Sequence, residues 1–234
     1  MPEKSISLFA PAFNEEGNIE NFIKKSDKVL KSIADDFEII IVNDGSRDKT
    51  REIAEGLKKE FKNLELVNHE KNKGYGEALK SGFKNSKKDL VVFTDSDLQI
   101  DISEISKFLD YIDKYSVVIG YRINRQDNFI RRMNAFLWKI LMRIVLGLKV
   151  RDIDCAFKMF KKEVLKDLNL KSSGALVSAE LLTKIKNRGY KIKEIPVKHY
   201  PRKEGKQTGN KPKVVLKAFK ELIILRKEIK SGKP

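Results

Sequence analysis

Asp95-Ser96-Asp97, with Gln99 two residues on, places three side-chain oxygen donors at alternate positions directly after the apolar run Leu90–Phe93. In an extended chain, residues 95, 97 and 99 point the same way. Oxygen donors on one side suit Mg2+ or Mn2+, hard ions that favour carboxylate, carbonyl and water. Such an ion would neutralise a diphosphate and help it leave. A D-x-D can also simply cap a helix, and spacing alone leaves that alternative open. Asp44, after the apolar run Phe37–Val42, could accept hydrogen bonds from a base or a ribose. Its bland alternative is an Asp44-Gly45 turn, with Ser46 to Asp48 starting a helix. The glycines at 74, 76 and 82 do not fit G-x-G-x-x-G, and no G-x-x-x-x-G-K-[ST] loop is present. Redox chemistry on a dinucleotide and ATP hydrolysis therefore lack sequence support.

These clusters need elements to hold them. Ser5–Phe9, Phe37–Val42, Leu64–Val67, Leu90–Phe93 and Val117–Ile119 read as strands, the second apolar almost throughout. Helical periodicity falls between them, over about 16–33, 48–61, 77–84 and 103–115. Strand–helix alternation with short loops predicts an α/β fold with a mostly parallel central sheet flanked by helices. Ligands of such sheets bind at the carboxyl ends of the strands. There the sequence places Pro11 to Glu16, Asn43 to Thr50, Asn68 to Gly76, Thr94 to Gln99 and Gly120-Tyr121-Arg122. No repeat and no Pro-, Gly- or Ser-rich linker interrupts the chain. The expected organisation is one catalytic domain over 1–211, followed by a basic amphipathic helix and tail over 212–234.

The chain has 234 residues, 41% of them hydrophobic and 35% charged, enough apolar side chain to bury a core. One cysteine, Cys155, excludes a disulfide framework, and with only His69 and His199 no structural zinc site can be assembled. Cys155 reads as a small buried hydrophobe and His69 as a loop residue. The net charge of +16 is concentrated in two places. Residues 121–151 contribute +7 and residues 198–234 contribute +9, so the remainder is neutral. A neutral body with two basic patches is suited to an anionic partner: nucleic acid, an anionic membrane surface or a phosphorylated ligand. The start of the chain lacks a signal-peptide pattern, and no stretch approaches the ~20 apolar residues of a membrane span. The expectation is a soluble chain, or one lying on a membrane without crossing it.

Four of these segments, in order, resemble the motifs of family 2 glycosyltransferases with a GT-A fold. They are Pro11-Ala-Phe-Asn-Glu15, Val42-Asn-Asp-Gly-Ser-Arg-Asp-Lys-Thr50, Asn72-Lys-Gly-Tyr-Gly-Glu-Ala78 and Asp95-Ser-Asp-Leu-Gln99. Asp152-Ile-Asp-Cys-Ala-Phe-Lys158, Ser178-Ala-Glu180 and Gly189 to Val197 with Tyr200-Pro-Arg202 are similar to the dolichyl-phosphate mannose synthase branch. The resemblance covers roughly residues 5–205. Phe13 stands where the family usually has Tyr, and Ala156 where it has Gly.

The resemblance implies an inverting, metal-dependent transfer of a hexose. The donor would be a nucleotide-sugar of the GDP-mannose or UDP-glucose type. The acceptor would be a polyprenyl or dolichyl phosphate at the cytoplasmic face of a membrane. Pro11, Phe13, Glu15 and Asp44, with Lys73, Gly74, Asp95 and Ser96, would hold the donor. Asp95, Asp97 and Gln99 would hold Mg2+ or Mn2+. Arg122, Arg131, Arg132 and Arg202 would grip phosphates, since a guanidinium offers bidentate donors to phosphate oxygens. Asp97, Asp152 and Arg122 are the expected catalytic residues. A phosphate acceptor is already anionic and needs no strong base, so positioning and charge stabilisation would suffice. An acceptor hydroxyl, with Asp152 as base, is the alternative within the same fold. A non-catalytic nucleic-acid-binding protein is a distant one, supported by charge alone, without interleaved aromatics or a nucleic-acid motif.

Apolar residues at 129, 133, 136, 137, 140, 141, 144, 145 and 148 lie along one helical face, with Arg132, Lys139 and Arg143 on the other side. A second such helix is expected over Val214–Ile229. Basic amphipathic helices suit a membrane interface, where a lipid acceptor is reached, and they also suit core packing with a solvated face. Peripheral contact with an anionic membrane and a separate membrane protein are the expected partners; nucleic acid is not.

Overall fold

The computed structural model describes residues 4–123, 129–202, 204–205 and 212–230. The side chains of residues 129–132, 134, 212–217 and 230 lie outside the described residues. Among the described residues, seven strands, β1 (Ser5–Ala12), β2 (Asp36–Asn43), β3 (Leu64–Asn68), β4 (Leu90–Phe93), β5 (Val117–Ile123), β6 (Lys158–Lys161) and β7 (Ile192–Lys198), form one sheet in the order β3-β2-β1-β4-β6-β5-β7. Around it lie α1 (Ile19–Ile33), α2 (Thr50–Leu57), α3 (Tyr75–Asn85), α4 (Ile105–Ile112), α5 (Phe129–Leu146), α6 (Lys162–Leu165), α7 (Val177–Asn187) and α8 (Pro212–Lys230).

The first half follows the expected alternation. β1 pairs parallel with β2 and β4, and β2 with β3. The pleat of β1 and β2 divides their apolar runs between two cores. Leu8, Ala10, Ile39 and Ile41 enter the core beneath α1 and α4. Phe9, Ile40 and Val42 enter the other, beneath α3, α5 and α7. There Phe9 stacks on Phe93 (centroids 5.6 Å) and Phe93 on Phe160 (6.3 Å), with Phe83 edge-on to all three.

Two features differ from the expected pattern. β6, which begins at Lys158 where the 152–158 motif ends, inserts antiparallel between β4 and β5. Its Lys-Met-Phe-Lys sequence has charged ends and no strand-length apolar run, so periodicity does not announce it. β5 runs on to Ile123, because Gly120, Tyr121 and Arg122 pair with Ile195, Pro196 and Val197 of β7. Arg122 is thus a strand residue with a fixed direction, not a loop residue.

The face expected on the helix over 129–148 is split. Of its residues Leu148 is buried and Leu141 and Val145 pack part-buried against the core, whereas Met133, Phe136, Leu137, Ile140 and Ile144 are exposed, Ile144 to 76%; Met142 and Leu146, outside the expected face, are buried instead. α8 behaves alike: Ala218, Leu222 and Leu225 are buried, while Phe219, Ile223 and Ile224 are exposed. Trp138 of α5 meets Phe219 of α8 edge-to-face at 5.9 Å, so the two outer faces adjoin.

Candidate active site

The carboxyl ends of β1, β2 and β4 bring four carboxylates, Glu15, Asp44, Asp95 and Asp97, to one edge of the sheet, and Arg122 near the end of β5 holds a fifth, Asp152. Asp44, at the tip of β2, is buried and fully engaged. Its Oδ1 accepts from the Lys73 amide (2.9 Å) and lies 2.7 Å from His69 Nδ1; its Oδ2 accepts from the Gly74 amide (2.9 Å). His69 Nε2 lies 2.9 Å from Ser81 Oγ. His69 is a loop residue just past β3, as expected, but a buried one and part of the site's framework, because its two ring nitrogens meet Asp44 and Ser81. Lys73 reaches Asp44 through its backbone, and its side chain is exposed. Phe13 is half-buried beside this edge.

Beyond β4, Ser96 donates to the Pro11 carbonyl (3.0 Å), tying the D-x-D loop to the end of β1. Asp95 accepts from the Tyr75 hydroxyl (3.1 Å). Burial raises the Asp95 carboxyl above its ordinary range, against the pull of Tyr75 and the Lys158 and Arg122 charges. Burial and the neighbouring Asp95 push Asp97 up to about 6. Asp97 accepts from the Gln99 amide (3.1 Å), and the Gln99 side chain donates to the Tyr200 carbonyl (3.2 Å). Two carboxylates held close at a cost in charge lack a counter-cation within their own loop.

A cation arrives from far along the chain. Arg202 sets one guanidinium nitrogen on Glu15 and another 3.2 Å from Asp97 Oδ2. One side chain thereby joins the β1 loop, the D-x-D loop and the segment after β7. Arg122 forms a second, separate pair: its Nε and Nη2 reach Asp152 at 2.7 and 2.8 Å, and its backbone N–H donates to the same carboxylate at 3.2 Å. Burial disfavours its charge, but Asp152 outweighs this and holds Arg122 above its ordinary value. Arg131 and Arg132 lie in the first turn of α5, and their side chains fall outside the described residues.

Sequence reasoning passed over two groups here. Tyr75 supplies the hydroxyl on Asp95, and burial lifts its own titration well above the ordinary phenol value. Lys158 of β6 is fully buried, donates to the Cys155 carbonyl and lies 5.0 Å from the Phe93 ring centroid. Burial lowers its pKa, and its charge is felt by Asp95. A lone lysine in the run Cys-Ala-Phe-Lys-Met-Phe was the available signal. Cys155 is buried, as expected, and burial pushes its thiol up to about 11, which makes it inert as a nucleophile.

Among the described residues no three His, Cys, Asp or Glu side chains form a cage for a metal. A divalent ion held by one or two carboxylates, water and substrate phosphates needs none, and Asp95, Asp97 and Gln99 fit that donor set. Arg202 on Asp97 marks the place of positive charge.

Comparison with known proteins points the same way. Residues 7–168 match the model of glycosyl transferase family 2. An undecaprenyl-phosphate 4-deoxy-4-formamido-L-arabinose transferase of Edwardsiella ictaluri is 29% identical over 86% of this chain and 61% of its own length. A dolichyl-phosphate beta-glucosyltransferase of Trichomonas vaginalis is 32% identical over 82% of this chain and 64% of its own. The chain thus spans less than two thirds of the length of these relatives. Among solved structures, glucosyl-3-phosphoglycerate synthase from Mycobacterium tuberculosis, in complex with Mn2+, UDP and glucosyl-3-phosphoglycerate, has a similar fold. The TM-score is 0.70 and the identity 22%, over 99% of this chain and 81% of that one.

Proposed function

As the chain belongs to glycosyl transferase family 2, we propose that it moves a hexose from a nucleotide-sugar to a polyprenyl phosphate at a membrane surface. The observation that carries this is the convergence on one sheet edge of Asp44, Asp95, Asp97 and two arginines, Arg122 and Arg202, from four separate segments. The two relatives described act, by their names, on undecaprenyl phosphate and dolichyl phosphate. The structurally similar synthase has been solved with UDP and with Mn2+ or Mg2+.

In this reading the nucleoside lies against the β1 and β2 tips, beside Pro11, Phe13 and Asp44. Asp95, Asp97 and Gln99 would hold Mg2+ or Mn2+, which supplies charge neutralisation to the departing diphosphate. Tyr75 restrains Asp95 through its hydroxyl hydrogen bond. Arg202 leaves Asp97 for a phosphate, since a dianionic phosphate offers it more charge than a shared carboxylate. Arg122, with its plane set by Asp152, orients the acceptor phosphate for direct displacement at the anomeric carbon, which inverts configuration. Both Asp152 oxygens already accept from Arg122. A carboxylate so committed serves better to orient than to take a proton, which favours a phosphate acceptor over a hydroxyl.

The donor site is tested by melting the protein with UDP, GDP and their sugars, with Mn2+ or with chelator. A nucleoside diphosphate at 100 times its Kd is expected to add about 2.7 kcal/mol of stability, lost with chelator. A transfer assay on polyprenyl phosphate then follows. No shift with any nucleotide, in a protein that melts cooperatively, would overturn the reading.

The acceptor must come from a bilayer, and α5 with α8 is the face proposed to meet it, on the cytoplasmic side. Phe136, Leu137, Ile144, Phe219, Ile223 and Ile224 are exposed there, with Lys139, Arg143 and Arg226 exposed or part-exposed on the same helices. Among the described residues no helix is long and apolar enough to cross a membrane. Each basic residue near an anionic surface contributes about 1 kcal/mol. The protein is expected to co-sediment with vesicles containing phosphatidylglycerol. Ile223→Glu with Ile224→Glu should abolish this without lowering Tm; equal sedimentation of the variant would place the contact elsewhere.

A further inference from the structure

Residues 73–76 join the two halves of the donor edge. At one end the Lys73 and Gly74 amides hold both oxygens of Asp44; at the other, the Tyr75 hydroxyl reaches Asp95. The back of this segment is pressed onto the loop at 171–173. The Gly76 amide donates to the Ser173 carbonyl at 3.0 Å. A Cβ on Gly76 would stand 2.5 Å from the Ser172 carbonyl oxygen, and one on Gly74 2.7 Å from that of Ser173. Backbone lies directly on backbone, so the segment has no slack and takes its shape from the loop behind it.

That loop hangs from two carboxylates. Glu180 of α7 accepts from the Lys171 and Ser172 amides at 2.8 and 2.7 Å. Glu221 of α8 accepts from the Ser173 amide and hydroxyl at 3.1 and 3.3 Å, both on Oε1. Its Oε2 is buried with no hydrogen-bond partner among the described residues. Burying a carboxylate oxygen unpaired is unfavourable. α8 is already anchored by Ala218, Leu222 and Leu225, so packing alone gives no reason for an acid at 221. Holding Ser173 does.

We propose that α8 is a positioning element of the donor pocket: Glu221, acting through Ser173, keeps residues 73–76 in the shape in which Asp44 and Asp95 face a nucleoside diphosphate. This rests on the donor-site reading above. α8 lies outside residues 7–168, the part that matches the family, so the link reaches the pocket from beyond that match. The same helix bears Phe219, Ile223 and Ile224, and the link therefore runs from the outer face to the donor site.

The test is calorimetric titration of UDP and GDP with Mn2+ into wild type, Glu221→Ala and Glu221→Gln, alongside steady-state kinetics. Glu221→Ala is expected to weaken the nucleotide that wild type binds about tenfold, within the range of coupling through packed networks. Donor KM rises with it while acceptor KM stays. Glu221→Gln keeps an acceptor for Ser173 and is expected to remain within about threefold of wild type. Should Glu221→Ala not melt cooperatively, Ser173→Ala, which removes only the hydroxyl, decides with an expected loss of about threefold. Unchanged nucleotide affinity in the deciding variant overturns the proposal. So does equal loss in the alanine and glutamine variants, or an equal rise in both KM values, which marks general loosening. A wild type that binds neither nucleotide removes the donor-site reading itself, and this inference with it.

Discussion

Arg122→Ala is expected to lower kcat/KM about a thousandfold. A preorganised donor aimed at charge in the transition state is worth about 10²–10³ in rate, and Arg122 is preorganised by a bidentate pair. The change also removes a bidentate charged partner of Asp152 in a mostly buried setting, which costs up to about 3–5 kcal/mol. Tm should therefore fall by up to roughly 6–20 °C, the scale expected for a domain of this size. Arg122→Lys separates the two effects. Lysine restores a charge beside Asp152 and much of the stability, but it cannot reproduce the two parallel hydrogen bonds, so activity stays low. Wild-type turnover in Arg122→Ala would make the pair structural and remove the phosphate-orienting role. A pH profile of kcat that shows a base, lost in Asp152→Asn, would instead shift the reading to a hydroxyl acceptor.

A loss-of-function change that stabilises the fold is expected at Asp97. Burial and Asp95 push this carboxyl up to about 6, from an ordinary value of 3.8. The folded protein thus holds the Asp97 proton more tightly than the unfolded chain does. Its stabilising contribution is full below pH 3.8 and disappears as pH rises through about 6. Above that, the ionised carboxylate carries a penalty of at most about 3 kcal/mol, with the attraction of Arg202 already included. An asparagine amide never ionises, so Asp97→Asn should raise Tm by about 4–8 °C at pH 8 and much less at pH 5. The same variant loses a hard anionic ligand and should show no Mn2+-dependent stabilisation by nucleotide. In wild type, metal–nucleotide affinity should fall about tenfold for each pH unit below about 6. A lower Tm for Asp97→Asn at pH 8 would mean that the Arg202 pair stabilises more than burial penalises. Stability traded for a charged site is a common arrangement at functional positions.

Much of this site can be found from the chain alone. In a parallel sheet each strand runs straight into the loop at its carboxyl end, so strand and chemistry are neighbours in sequence. Asp44 after β2, and Asp95 and Asp97 after β4, were legible for that reason. The two amphipathic helices were legible from period 3.6, although not which residues of their apolar faces would be covered. Coverage is set by what packs alongside: Leu141 and Val145 of the expected face meet the body of the protein, while Ile144 of the same face does not.

Local pattern determined the alternation of elements, the identity of the strand-end loops and the two basic segments, because each depends on residues within a turn or a strand of one another. Tertiary structure decided the rest. The antiparallel insertion of β6 put the Lys158 charge near Asp95, and the pairing of β5 with β7 turned Arg122 into a strand residue. His69 and Asp44, Arg202 and Asp97, and Glu221 and Ser173 met only through the order of strands and the packing of helices. A side chain's partner across 25, 105 or 48 residues is fixed by which elements become neighbours, a property of the whole sheet that no short stretch of residues encodes.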